Sequence, residues 1–161
     1  KSTMAKNRIQ ILNKLLSQIE NNFSNKALKN DAVSKSTIGW QLDHSLKVFN
    51  AVSEWTEQSN PKAYKWKFNK WRAILFPLCY IPRGKARAPK QVLPPEIISI
   101  EGLNAQLQKA KAHITTLQAL PKTAYFEHHV FGKLNKQQAL RFLEMHTYHH
   151  LKIIHDILKR S

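Results

Sequence analysis

Apolar residues recur three and four positions apart over four long stretches of the chain, and this spacing limits the possible folds more than any other feature. In the first stretch the repeat consists of Ile9, Leu12, Leu15, Leu16, Ile19 and Phe23. A second stretch runs from about Ser36 to the Asn60-Pro61 break, a third from Ile100 to Pro121, and a fourth from Asn135 to about Lys159. The pattern predicts four amphipathic helices, the last opened by a capping-box-like pair, Asn135 and Gln138.

The second helix carries apolar residues on two faces, which indicates that it is buried between neighbours. The chain has only four glycines, a composition that favours helices over a turn-rich sheet protein. Residues 61–95 then form a long connection, in which residues 71–80 predict a short helix or an irregular layer because Pro77 interrupts the helical spacing. We therefore expect an all-α fold, a four-helix bundle with a long crossover between helices two and three, and a single domain over residues 1–161.

Positive charge is concentrated in that connection. The chain has 26 Lys and Arg residues against ten acidic ones, and the segment between Glu57 and Glu96 is basic without a single carboxylate. Such a field attracts nucleic acid, anionic lipid head groups or small acidic ligands. The interleaved aromatics Tyr64, Trp66, Phe68 and Trp71 can stack on nucleic-acid bases or simply alternate into the core. Charge alone does not choose among these partners.

The cysteine count and the hydropathy pattern suggest a reducing compartment. Cys79 is the one cysteine, so it forms no internal disulfide, and no secretory signal or run of 18 apolar residues is visible. We expect a cytoplasmic protein without a membrane span, and the sequence is compatible with a homodimer.

Two histidines of the fourth helix occupy its inward face. His150 takes a position at which the apolar repeat calls for a hydrophobic residue, and His146 lies one turn earlier on the same face. His149 and His155 lie off this face, on either side of His150. A His pair at i and i+4 is a common way to offer two nitrogen ligands to zinc or a similar ion, although a core histidine bonded to a carbonyl is the simpler alternative.

A third ligand has to come from another helix, and His44 is the candidate. It lies on the second apolar face of helix two, where a buried imidazole needs a partner. Asp43 and Glu144 are close to proposed ligands in sequence, but we expect both at the surface, as we do His113 on helix three. No general base stands out.

Four motifs resemble the DinB-like superfamily of metal-binding four-helix bundles, particularly a bacterial branch of unknown function. They are Gly39-Trp-Gln-Leu-Asp-His44 with the following Ser-Leu-Lys-Val-Phe, the basic loop Ile81 to Lys90, the segment from His128 to Leu134, and His146-Thr-Tyr-His-His150-Leu-Lys152. The resemblance implies that His44, His146 and His150 bind a divalent metal ion, most readily zinc or nickel. Two positions depart from the branch: His129 replaces a proline, which leaves the role of His128 open, and Lys152 replaces an arginine.

The resemblance also implies a reaction class. Relatives in the superfamily include transferases and isomerases that use low-molecular-weight thiols, so we expect a metal-dependent enzyme, a thiol-dependent transferase or a hydrolase. Arg83, Lys85, Arg87 and Lys90 of the basic loop would draw in a small acidic or thiol substrate. The alternative is a basic module that binds nucleic acid or an anionic ligand without catalysis.

Overall fold

The part of the protein that the structure describes is mostly helical, with one small sheet. The computed structural model describes residues 2–84 and 90–159. In chain order the elements are α1 Ser2–Asn21, α2 Ile38–Glu57, α3 Lys70–Leu78, α4 Ile100–Ala119, β1 Tyr125–His128, β2 Gly132–Asn135 and α5 Lys136–Lys159. The four predicted helices are α1, α2, α4 and α5, and the all-α expectation is confirmed in this broad sense. No helix within the described ranges is both long enough and apolar enough to cross a membrane.

The four long helices share one hydrophobic core. Both α1 and α2 pack against α4 and α5. Each of the four contributes fully buried leucines, for example Leu12, Leu42, Leu103 and Leu140. The two-sided helix α2 is almost wholly buried over its first half, as its two apolar faces predict.

Polar side chains set the starts of the long helices. Thr37 caps α2, because its Oγ1 accepts from Trp40 N at 3.1 Å. At the start of α5 the predicted pair is confirmed: Asn135 Oδ1 accepts from Gln138 N at 3.0 Å, and Asn135 N donates to Gln138 Oε1 at 3.1 Å. These caps fix where α2 and α5 begin and hence the height of their side chains along the core.

The segment around residues 71–80 forms the short helix α3, one of its two expected structures. Pro77 is accommodated in its last turn, and Cys79 ends it in the left-handed conformation with a φ of 48°. Asn69 caps the helix through Arg72 N and also donates to Val130 O at 2.8 Å. These bonds attach α3 to the segment between β1 and β2.

The segment before α5 is a β-hairpin, which the all-α expectation did not include. β1 and β2 are antiparallel, with Phe126 opposite Leu134, and Gly132 takes a φ of 69° at the turn. Phe126 and Leu134 are buried, whereas the neighbouring Glu127 is exposed. Four residues per strand are too few for the two-residue alternation to stand out in the sequence.

Candidate metal centre

Helices α2 and α5 bring the three predicted ligands together. The nitrogen atoms that His44, His146 and His150 can offer all lie within 4.8 Å of one another. His146 Nε2 and His150 Nε2 are 3.3 Å apart. His44 and His150 are buried, and His146 keeps a partly open surface on the wall of a cavity.

Hydrogen bonds hold two of the imidazoles in one tautomer. His44 Nδ1 donates to the carbonyl oxygen of Val92 at 2.8 Å, and His150 Nδ1 donates to Gln41 Oε1 at 2.6 Å. Gln41 is oriented by the bond from its Nε2 to Ser34 Oγ at 3.3 Å. Because both acceptors are oxygens, the ring protons sit on Nδ1 and the Nε2 lone pairs are left for another partner.

The spacing of the His146 and His150 nitrogens fits a metal ion. Two nitrogens bound tetrahedrally at 2.0–2.1 Å stand roughly 3.3–3.4 Å apart. The separation of 3.3 Å between His146 Nε2 and His150 Nε2 matches this value. The three histidines therefore form a group that can hold a metal ion.

Burial keeps the imidazoles neutral. It lowers the pKa of His146 and of His150 well below the usual value, and the neighbouring histidines lower both further. Burial also lowers the pKa of His44, while its hydrogen bond to the Val92 carbonyl acts in the opposite direction. Neutral imidazole is the form that binds metal.

The triad opens on a cavity of about 1000 Å³ with a mostly apolar wall. Val48, Val52, Phe126 and Phe142 form part of that wall. Ser34 and Lys35 also line it. A pocket of this size accommodates a drug-sized organic molecule.

His128, His129 and His149 line the cavity without joining the triad. His128 Nδ1 accepts from Val130 N at 3.1 Å and from Phe131 N at 3.2 Å, so its proton sits on Nε2. Burial lowers its pKa to about 4. His149 also has its pKa lowered to about 4, mainly by burial and then by Arg83, and it is hydrogen-bonded to the backbone of Ile81.

Three residues that we expected at the surface are largely buried instead. Asp43 is buried, where its Oδ1 accepts from Gln106 Nε2 and its Oδ2 pairs with Lys47 Nζ, both at 2.8 Å. Glu144 is largely buried against Arg141, at 2.8 Å. His113 is also buried, with Nδ1 2.7 Å from Glu57 Oε1. Gln106 and Glu57 lie on a different helix from the residue that each of them meets, and the periodicity of a single helix does not reveal such contacts.

The sequence reasoning missed Gln41 as the residue that orients His150. The sequence spacing could have identified Gln41, because it precedes His44 by three residues and therefore lies one turn away on the same side of α2. Asp43, the neighbour in sequence, points towards α4 instead, as its bond to Gln106 shows.

Two of the four predicted anion-binding residues, Arg83 and Lys90, lie within the described residues. Arg83 pairs with Asp156 Oδ2 at 2.8 Å, and Lys90 is exposed. Lys85 and Arg87 lie outside the described residues. Pro82 and Gly84 line the cavity, so the start of the basic loop borders it.

Comparison with known proteins identifies the family of the chain. The family model of the DinB superfamily matches residues 10–154, a range that includes all three histidines of the triad. Searches of curated proteins and of solved structures gave no significant match. Since the family model covers most of the chain, the protein belongs to the DinB superfamily.

Proposed function

We propose that the protein is a metal-dependent enzyme, a thiol-dependent transferase or a hydrolase, built on a four-helix bundle of α1, α2, α4 and α5. His44, His146 and His150 would hold one divalent ion, zinc or nickel, since imidazole nitrogen suits both. The observation that carries the proposal is the tautomer of two of these histidines: the Nδ1 protons of His44 and His150 are bound to oxygens, which leaves their Nε2 lone pairs free. The candidate ligand nitrogens of all three histidines lie within 4.8 Å of one another.

Three protein ligands are typical of catalytic metal sites. An ion held by the three histidines would supply Lewis-acid chemistry, which lowers the pKa of a thiol or of water. The protein supplies the surroundings. The apolar side chains Val48, Val52 and Phe142 hold the body of a substrate and keep water from the reacting end.

His128 is the residue that orients the substrate in this proposal. Its Nδ1 is occupied by two backbone N–H groups, so the neutral ring can only donate, through Nε2–H. As a residue of the cavity wall it can donate to an oxygen of the substrate. Lys35 and Lys90 would provide positive charge for an acidic substrate, since Arg83 is engaged with Asp156.

The proposal is tested first by metal content. Untagged protein purified without chelator should carry about one equivalent of metal, and His44→Ala should lose most of it. His155→Ala is the matched control, because His155 is an exposed histidine of α5. Less than about a tenth of an equivalent in the wild-type protein, or equal metal content in wild type and His44→Ala, would contradict the proposal.

Activity is tested on the metal-loaded protein. Consumption of glutathione with an electrophilic co-substrate reports the transferase reaction, and cleavage of acidic esters and amides reports hydrolysis. Activity that requires metal and disappears in His44→Gln supports the proposal. A folded, metal-loaded protein without activity in either assay would leave a binding module as the better description.

A further inference from the structure

Helix α3 turns an apolar face away from the rest of the protein. We define the docking face as the large apolar side chains on and beside this helix that are exposed by 48% to 71% of their surface: Trp66, Phe68, Trp71, Ile74, Leu78 and Tyr80. On the helix itself, Trp71, Ile74 and Leu78 follow at intervals of three and four, so they share one side. Large exposed apolar side chains concentrated in one short segment of the chain indicate an interaction site.

The opposite side of α3 is firmly attached, so the exposure is not that of a detached helix. Phe76 is buried, and its carbonyl oxygen accepts from Arg141 Nε at 3.1 Å and Nη2 at 2.9 Å. Arg72 is also buried and donates to the carbonyls of Phe131 and Lys133. These bonds hold the docking face outwards.

Positive charge surrounds the docking face. Lys62, Lys65, Lys67 and Lys70 are exposed, and no ion pair within the described residues joins any of them to a carboxylate. The ammonium group of Lys70 lies 5.2 Å from the ring centre of Trp71. An apolar surface rimmed by lysines is complementary to a partner that is apolar inside and anionic outside.

We propose that the docking face binds an anionic lipid surface. Tryptophan and tyrosine favour the level of the head groups, lysines meet the phosphates, and Ile74 and Leu78 would enter the acyl boundary. Nucleic acid uses lysines and aromatic rings but gains nothing from two aliphatic side chains. A second copy would bring the same lysines face to face, which like-charge repulsion opposes.

The docking face adjoins the cavity. Trp71 belongs to the docking face and also lines the cavity. Leu75, one turn later in α3, lines the cavity too. Docking would therefore place one edge of the cavity beside the lipid. The inference goes beyond the proposed function and holds whether or not the triad binds metal.

The test is flotation of the full chain with vesicles. Vesicles of phosphatidylcholine containing about 25% phosphatidylglycerol should bind the protein, pure phosphatidylcholine should bind it far less, and salt should weaken the binding. Tryptophan fluorescence should shift to the blue as Trp66 and Trp71 leave water. Replacing Lys65, Lys67 and Lys70 by Gln should weaken binding by about fivefold per lysine.

The aliphatic side chains distinguish the possible partners. Ile74→Ser with Leu78→Ser should reduce vesicle binding on the order of tenfold, whereas Ile97→Ser, an exposed aliphatic change on the segment before α4, should leave it intact. Far-ultraviolet circular dichroism verifies that each variant is folded. Failure to bind anionic vesicles, unchanged binding in the double variant, or tight binding to single-stranded DNA in place of vesicles would overturn the proposal. So would a dimer that the double variant dissociates.

Discussion

Replacing Gln41 by methionine should separate metal affinity from stability. Methionine keeps the length of the side chain but removes the oxygen that accepts from His150 Nδ1 at 2.6 Å. His150 is buried, so an unsatisfied Nδ1–H there costs about 1–3 kcal/mol. The metal-free protein can escape this cost, because the His150 proton can move to Nε2 and be donated to His146 Nε2, 3.3 Å away.

The metal-bound protein has no such escape, since metal binding requires the Nε2 lone pair and leaves the proton on Nδ1. The penalty therefore falls mainly on the bound state, and the affinity for zinc should drop about 10–100-fold, as is usual when the partner of a metal-bound histidine is removed. Gln41→Glu keeps an acceptor and should bind zinc at least as well as the wild type.

The assay is competition for zinc against a chromogenic chelator, with urea unfolding of the metal-free protein in parallel. Gln106→Met is the matched control, because Gln106 donates to the buried Asp43 at 2.8 Å on the side of α2 that faces α4. It should lower stability without changing zinc affinity. If Gln41→Met loses stability but binds zinc within about threefold of the wild type, the tautomer argument is refuted.

Three further results are expected. The pKa values of His128, His146, His149 and His150 are all lowered, so below about pH 6.5 the unfolded chain binds more protons than the metal-free folded protein. The free energy of unfolding should therefore fall as the pH drops from 7 towards 4. Urea unfolding at several pH values checks this. Asn135→Ala removes one half of a reciprocal cap and should cost about 1 kcal/mol in urea unfolding, whereas Gln137→Ala at the exposed neighbour should cost little. Arg72→Met leaves two backbone carbonyls of the hairpin without their donor and should lower the melting temperature, with Lys70→Met, at the exposed neighbour, as the control.

The helices of the core could be predicted because burial imposes a period that survives in one sequence. Leu103, Leu107 and Leu117 are buried at the spacing that defined the third predicted helix. His150 was located by the same logic, since it replaces an apolar residue in that period. The choice of His44, in contrast, depended mainly on family resemblance, because an apolar face of α2 does not by itself say which helix it meets.

The polar partners of the site could not be predicted in the same way. Asp43 was expected at the surface because a carboxylate usually avoids burial, yet Gln106 on α4 and Lys47 on its own helix satisfy it. The information lies in a pair of residues more than sixty positions apart. Helical periodicity does not reveal such pairs, because in the sequence pattern each of these residues is an ordinary polar position.

The crossover between α2 and α4 shows the same limit most clearly, because it completes the site through its backbone. The carbonyl oxygen of Val92 fixes the tautomer of His44, and that of Leu93 accepts from Lys47 Nζ at 3.0 Å. Ile81 gives its backbone to His149. Every residue has the same backbone carbonyl oxygen, so no side-chain motif predicts these contacts. The segment with the least regular sequence pattern therefore orients His44 and His149, which the regular helices only bring near the site.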